Sequence, residues 1–278
     1  MKPGERKTLA TRILGEEKIS AQRACRLICL TRSMYYYSAQ RNDEPVIAKL
    51  SELSEKYPTR GFDTYYGKIR LEGLIWNRKR VLRVYRKLDL KMRRKRKRRL
   101  PSRVKEPLVV PAVLNDTWSI DFMSDALETG RRFRVLNVID DCNREALLNE
   151  ASYSIPAERL VDALERLFAY RTKPKKIRVD NGPEFISKVF TGFCELHGIG
   201  VCYIQPGKPT QNAYIERFNR TFREDVLDAY LFESIHQVNE KAYEWQIDYN
   251  AYHPHQSLQG QSPWLFKGSA EQKELMKD

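Results

Sequence analysis

The sequence predicts an α/β chain: a mixed five-stranded sheet flanked by helices, preceded by small all-α helix-turn-helix modules. Three observations predict it. From Thr117 to Tyr153, three apolar-rich segments are separated by short polar turns, which is the pattern of an antiparallel meander. From Pro156 to Arg223, helical periodicity alternates with two short apolar runs. Before Pro101 the apolar residues recur at helical spacing, between capping residues and a glycine stop.

The 278 residues allow one sizeable core plus one or two small modules. No apolar run is long enough to span a bilayer, and the start of the chain lacks a signal-peptide apolar region. Cys25, Cys29, Cys142, Cys194 and Cys202 form an odd set without repeated spacing and read as reduced thiols of a cytoplasmic protein. Cys25 and Cys29, four apart, could share a helix face. With no histidine pair nearby they read as core residues, not as a zinc site.

Taken in order, Ser20 caps a helix carrying Ala21, Ala24, Cys25 and Ile28. A turn at Cys29-Leu30 leads to Thr31, the cap of a second helix running to Tyr37. This is a helix-turn-helix pattern, and an ordinary helical hairpin is its alternative. A helix follows from Pro45 to Lys56, with Ile47, Leu50 and Leu53 inward. Asp63 caps the next, which stops at Gly73. Asn77 caps a third, with Val81, Val84, Tyr85 and Leu88 buried and Arg78, Lys79, Arg80, Arg83 and Arg86 outside. Strands are expected over 117–123, 131–140 and 145–153, then a helix over 156–171 and a short buried strand over 176–180. A helix starting at Pro183 and ending at His197-Gly198 comes next, then a strand over 200–204. That order is the order of a ribonuclease-H-like fold. A last helix runs from Glu233 to Asn250, with Val238, Tyr243 and Ile247 toward the core.

The net charge is +14, and it is concentrated. Arg78 to Lys105 contains sixteen Lys/Arg against one acid, Asp89, so this segment alone exceeds the charge of the whole chain. Such a run marks a polyanion-binding element; a solubilising linker is the alternative reading. The stretch with Arg93, Arg94, Lys95 and Arg96 has too few apolar residues to pack and reads as an extended arm lying along phosphates.

Asp121, within the first strand, lies beside Asp180 if both strands are central, because Asp180 ends the neighbouring strand where open α/β sheets place their sites. Glu216, Asn219, Arg220 and Arg223 fall on one helical face, a carboxylate for metal and cations for flanking phosphates. Phosphodiester chemistry needs such carboxylates to hold two Mg²⁺ ions, with Mn²⁺ as a substitute. Each residue has a plainer reading. Asp180-Asn181-Gly182 is a common turn, Asp121 can sit on an edge strand, and Glu216 can be one more exposed helix acid. Asp140, Asp141 and Glu184 compete, with turn and helix-start roles.

The motifs Asp180-Asn181-Gly182-Pro183-Glu184-Phe185 and Asn212-Ala213-Tyr214-Ile215-Glu216-Arg217-Phe218-Asn219 resemble the catalytic core of retroviral integrases and insertion-sequence transposases, the DDE superfamily. Thirty-five residues separate Asp180 from Glu216, the spacing of that family. Tyr249-Asn250, His253-Pro254-His255 and Ser262-Pro263 resemble its C-terminal end, and the whole chain is most similar to the second-reading-frame protein of copy-out, paste-in elements. The resemblance implies that Asp121, Asp180 and Glu216 hold two metal ions for nicking and strand transfer, with Lys208 and Asn212 near DNA. It further implies a nucleoid-associated homo-oligomer on element ends and target DNA, with a first-frame helix-turn-helix and zipper protein as fusion or partner. The zinc module of retroviral integrases is absent from the sequence, and Gly61-Phe62-Asp63-Thr64 is less basic than the family pattern. The expected segments are 1–42, a helix-turn-helix-like unit; 43–92, a second, DNA-binding one; 93–111, arm and linker; 112–270, the catalytic core; and 271–278, a tail. A non-catalytic DNA-binding regulator, or a nuclease acting on RNA hybrids, are the competing functions.

Overall fold

The computed structural model of the protein describes residues 3–17, 19–37, 42–90, 111–205 and 212–268. The chain forms two compact units, residues 1–45 and 46–278. The expected basic arm and most of the linker lie outside the described residues.

In the first unit, α1 (Pro3–Glu16), α2 (Ala21–Leu27) and α3 (Arg32–Tyr36) bury Ala10, Ala24, Cys25 and Leu30. Ser20 caps α2 by accepting the Arg23 N–H at 3.3 Å, whereas Thr31 makes no side-chain cap bond to α3. Cys25 and Cys29 do not share a helix face. Helix α2 stops at Leu27, and Cys29 turns the chain with φ of 51°, exposed while Cys25 is buried.

The second unit opens with three helices, α4 (Glu44–Lys56), α5 (Phe62–Leu71) and α6 (Arg78–Lys87), around Leu50, Tyr65, Ile69, Val81 and Val84. Asn77 Oδ1 accepts the Lys79 N–H at 2.8 Å, as a cap should. Asp63 is not a cap. Gly61 occupies that position, and Asp63 lies in the first turn of α5, where it pairs with Arg78 at 2.8 Å.

The sheet contains β1 (Thr117–Ala126), β2 (Arg132–Asp140), β3 (Ala146–Ser152), β4 (Lys176–Val179) and β5 (Gly200–Tyr203), in the spatial order β3-β2-β1-β4-β5. Strands β1, β2 and β3 are antiparallel neighbours, while β4 and β5 run parallel to β1. This is the ribonuclease-H-like arrangement. Strand β2 is buried almost throughout because both its faces are covered. Side chains alternate across a strand, so Leu136 and Val138 join Trp118 and Ile120 under α7 (Ala157–Phe168) and α8 (Lys188–Leu196). Phe133 and Val135 face the other way, into a second core completed by α9 (Ala213–Phe222) and α10 (Ile235–Tyr252).

Three expectations need correction here. Helix α8 begins at Lys188, not at Pro183, because Ser187 accepts the Phe190 N–H at 3.2 Å and residues 183–187 form turns that bury Phe185. Helix α7 ends at Phe168, short of Arg171. On α10, Val238 does pack, but Tyr243 is 65% and Ile247 40% exposed; Ala242, Trp245 and Tyr249 continue the buried stripe instead. Between α9 and α10, residues Arg223–Leu227 form a π-helical turn.

The α4–α6 helices are anchored to the core by two acids. Asp248 on α10 takes the Tyr57 hydroxyl at 2.6 Å, Lys56 at 3.1 Å and Lys68 at 3.3 Å. Asp225 takes Arg60 at 2.5 Å, Thr59 at 2.9 Å and the Trp245 indole N–H at 2.9 Å. Lys68 is only 4% exposed, and its burial lowers its pKa despite Asp248. Gly67 permits this approach, since a Cβ there would lie 2.5 Å from Pro254 Cγ. No described helix is long and apolar enough to cross a membrane.

Candidate active site

Ser119, Asp121 and Met123 project from the β1 face opposite Trp118 and Ile120, toward the side covered by α9. Asp121 is half-buried there. Its Oδ1 accepts the Phe122 N–H and its Oδ2 accepts Asn219 Nδ2, each at 2.8 Å. Asn219 in turn accepts from Asn137 Nδ2 at 2.7 Å, and Asn137 accepts from Asn149 Nδ2 at 2.6 Å. Four side chains from β3, β2, α9 and β1 thus form one relay in which every amide donates toward Asp121. A buried chain with a single sense polarises along its length and favours negative charge at its end.

Asp180 immediately follows β4. The parallel register pairs Ser119 with Arg178, so two further residues along each chain bring Asp121 alongside Asp180. Asp180 is exposed, and its Oδ1 accepts the Gly182 N–H at 2.9 Å. Asn181 ties the loop to β5 by donating to the Ile204 carbonyl at 2.9 Å. A Cβ at Gly182 would stand 2.9 Å from Asp180 Oδ1, so a side chain there would have to displace the Asp180 carboxylate. Glu216 is exposed in the first turn of α9, three residues before Asn219.

Burial pushes the Asp121 carboxyl up to about 6, and the charges of Asp180 and Glu216 push in the same direction against the Phe122 and Asn219 hydrogen bonds. Both acids are therefore close enough to act on Asp121. Among the described residues, no Lys or Arg forms an ion pair with any of the three. Nor do any three His, Cys, Asp or Glu side chains among them stand in ready metal-holding geometry. The donor set itself, three carboxylates, is that of hard divalent cations.

The competing acids are spoken for. Asp141 is fully buried against Arg178, with Ser119 Oγ donating at 2.6 Å. Asp140 accepts the N–H groups of Asn115 at 2.7 Å and Cys142 at 2.8 Å. Glu184, expected at a helix start, instead pairs with Arg134, whose guanidinium lies 4.2 Å from the Phe122 ring centroid.

The expected DNA-contact residues divide. Arg220 is exposed on α9. Arg223 spends its guanidinium on Asp125 at 3.1 Å and the Ser124 carbonyl at 2.8 Å. Asn212 is buried at the start of α9, with its Oδ1 unpartnered among the described residues. On α6, Arg78 is held by Asp63 and lies 5.1 Å from the Phe62 ring centroid, while Lys79 and Arg83 are exposed and Arg80 is half-buried. Lys208, Arg93, Arg94, Lys95 and Arg96 lie outside the described residues. The relay residues Asn137 and Asn149 were missed from sequence. An asparagine inside the apolar run Val135-Leu136-Asn137-Val138-Ile139 was the available signal, since a buried amide must find partners.

Comparison with known families matches residues 114–209 and, with a second model, 197–263, each described as an integrase core domain. The uncharacterised 31.7 kDa protein of insertion element IS407 from Burkholderia multivorans is 38% identical over 89% of this chain and 90% of its own. The uncharacterised 39.2 kDa protein of insertion element IS476 from Xanthomonas euvesicatoria is 35% identical over 92% of this chain and 74% of its own. Transposase InsD of the IS2 elements of Escherichia coli is 24% identical over 81% of this chain and 79% of its own.

Proposed function

Because the chain belongs to the insertion-sequence transposases of the retroviral-integrase-like DDE superfamily, we propose that it nicks the ends of its element and joins them to target DNA. Asp121, Asp180 and Glu216 are the acids of this reaction. One observation carries the reading: Asp121 is half-buried, burial and the charges of Asp180 and Glu216 raise its carboxyl, and it has no ion-pair partner among the described residues. Such crowding is costly without a positive guest.

In this reading Asp121, Asp180 and Glu216 hold two Mg²⁺ ions, for which Mn²⁺ can substitute. Bound divalent ions supply an activated oxygen nucleophile and relieve charge at the phosphorus and the leaving oxygen. The chain's own part is placement. The Phe122 N–H and Asn219 each hold one oxygen of Asp121, and the Gly182 N–H holds one oxygen of Asp180, so the carboxylates are oriented while lone pairs remain on them for a ligand. Arg220 and Lys79 meet phosphates of the flanking duplex. Arg78, Arg80 and Arg83 add to the α6 contact, and the 93–111 arm extends it. Residues 1–42 and 43–92 act as helical DNA-reading segments ahead of the 112–270 core. The protein works as a homo-oligomer on DNA in the cytoplasm, at the nucleoid, alone or fused to a first-frame helix-turn-helix and zipper protein.

The test uses the purified full chain with candidate terminal-repeat DNA and Mg²⁺ or Mn²⁺. Asp180→Asn is expected to abolish nicking and strand transfer while leaving DNA affinity intact. Transfer at the wild-type rate by that variant would reject the assignment and leave a DNA-binding regulator.

A further inference from the structure

A cavity of about 390 Å³ lies on another side of α9 from Glu216 and Asn219. Tyr214, Arg217 and Phe218 line it from α9, Arg144 from the β2–β3 turn, and Tyr249 and His255 from the end of α10 and beyond. None of its lining residues is acidic. Its volume is in the range of small-ligand sites.

Arg144 is the unusual member. It is only 7% exposed, and its Nη1 is buried without a hydrogen-bond partner among the described residues. A buried guanidinium in that state is expensive unless an anion completes it. Asp141, whose carboxyl feels the Arg144 charge, is already bonded by Arg178 and Ser119. The Arg144 guanidinium carbon stands 3.4 Å from the Tyr214 ring centroid, a cation–π contact that holds the side chain in place. Its backbone adopts φ of 63°, a conformation that non-glycine residues hold only when the surroundings enforce it. His255, which also lines the cavity, has a buried Nε2 without a hydrogen-bond partner among the described residues. Burial and the charges of Arg144 and Arg217 lower His255 to about 3, so its ring is neutral and joins as a hydrogen-bonding group rather than as a charge.

We propose that this cavity binds one nucleotide of a DNA strand, its phosphate on Arg144 and Arg217 and its base against the half-buried ring of Tyr214. Two arginines without an acid select a phosphate, and Tyr214 supplies an aromatic contact of the kind single-stranded nucleic acid uses, while Phe218 and Tyr249 pack on each other beneath it. The site is separate from the three acids and needs no metal. It goes beyond the proposed chemistry and stands or falls independently of it.

The experiment is calorimetric titration of the full chain in EDTA, with Arg93–Arg99 neutralised in every sample to remove arm binding. The probes are thymidine 5′-monophosphate, thymidine, inorganic phosphate and a thymidine trinucleotide. The trinucleotide and the monophosphate are expected to bind, and thymidine and inorganic phosphate to bind at least tenfold more weakly. Arg144→Met and Arg217→Met should each weaken the monophosphate at least tenfold. Arg217 is exposed, so its variant decides the matter if Arg144→Met does not fold. Glu216→Gln should bind as the parent does, which separates this site from failure of the catalytic reading. Undiminished binding by Arg217→Met, or inorganic phosphate binding as tightly as the nucleotide, would overturn the proposal. So would binding of the monophosphate with exclusion of the trinucleotide, which would assign a free nucleotide instead.

Discussion

Two groups of carboxylates meet along β1, and the chain treats them in opposite ways. At its start lie Asp140, Asp141 and Glu145. Asp141 has Arg178 and Glu145 has Arg171, while Asp140 is held by backbone N–H groups. Four residues further along β1, Asp121 faces Asp180 and Glu216 with no arginine or lysine paired to them among the described residues. Each group includes a carboxyl that burial raises. Burial raises Asp141 even against Arg178, and it raises Asp121 to about 6. The difference teaches where a fold closes its own charge and where it leaves the charge for something else. Asp141 and Glu145 arrive with cations and Asp140 with backbone donors, whereas the three acids proposed for a ligand have no ion-pair partner among the described residues.

Breaking the first group should cost most. Arg178→Met strands a fully buried Asp141, and removal of one partner from a buried pair costs about 3–5 kcal/mol. Urea denaturation measures it, and a loss below about 1 kcal/mol would deny the contrast.

Acid titration sharpens the same point. Asp140, 2% exposed, is raised to about 6 by burial, whereas an unfolded Asp titrates near its ordinary value of about 3.9. Between those values the native state binds more protons than the unfolded one. Asp140 therefore contributes stability that is full at low pH and is lost as pH rises from about 4 through 6, on the order of 2–3 kcal/mol. Asp121 acts in the same direction. Denaturation midpoints across pH 4–7, repeated with Asp121→Asn, should show a smaller decline in the variant.

Asn219→Ala removes the Asp121 hydrogen bond and leaves Asn137 without its acceptor, at a cost of about 1–3 kcal/mol for the unsatisfied buried amide. Asp121 should then titrate higher still, as carboxyl NMR would read. The smallest effect belongs to Glu216→Gln, expected to change stability by less than about 1 kcal/mol, as surface substitutions do. It should lower the Asp121 pKa by removing one neighbouring charge. An unchanged Asp121 titration in that variant would mean that the two acids do not face each other.

The strands were legible because their alternation is local, and so were the Ser20 and Asn77 caps and the ends of α5 and α8 at Gly73 and Gly198. The elements bearing Asp180 and Glu216 were legible for the same reason: their motifs are contiguous. What escaped depends on contacts between distant residues. The start of α8 moved because Phe185 is required in the core before the helix can begin. The buried face of α10 was misjudged because Val238-Tyr243-Ile247 and Val238-Ala242-Trp245-Tyr249 are both plausible stripes, and only the packing of Trp245 against Phe218 and Phe222 chooses. The asparagine relay joins four elements, and the Asp225 and Asp248 anchors join residues more than 160 positions apart.

Those anchors have a mechanical consequence. A lysine buried on an aspartate, with an arginine clamped to another beside it, welds α4–α6 to the surface behind α9 and α10. Helix α6 is then a fixed jig rather than a swinging attachment. Grafting residues 46–90 from a relative would seat a foreign helical module only if the receiving chain kept acids at positions 225 and 248 and the graft itself carried a glycine where Gly67 faces Pro254.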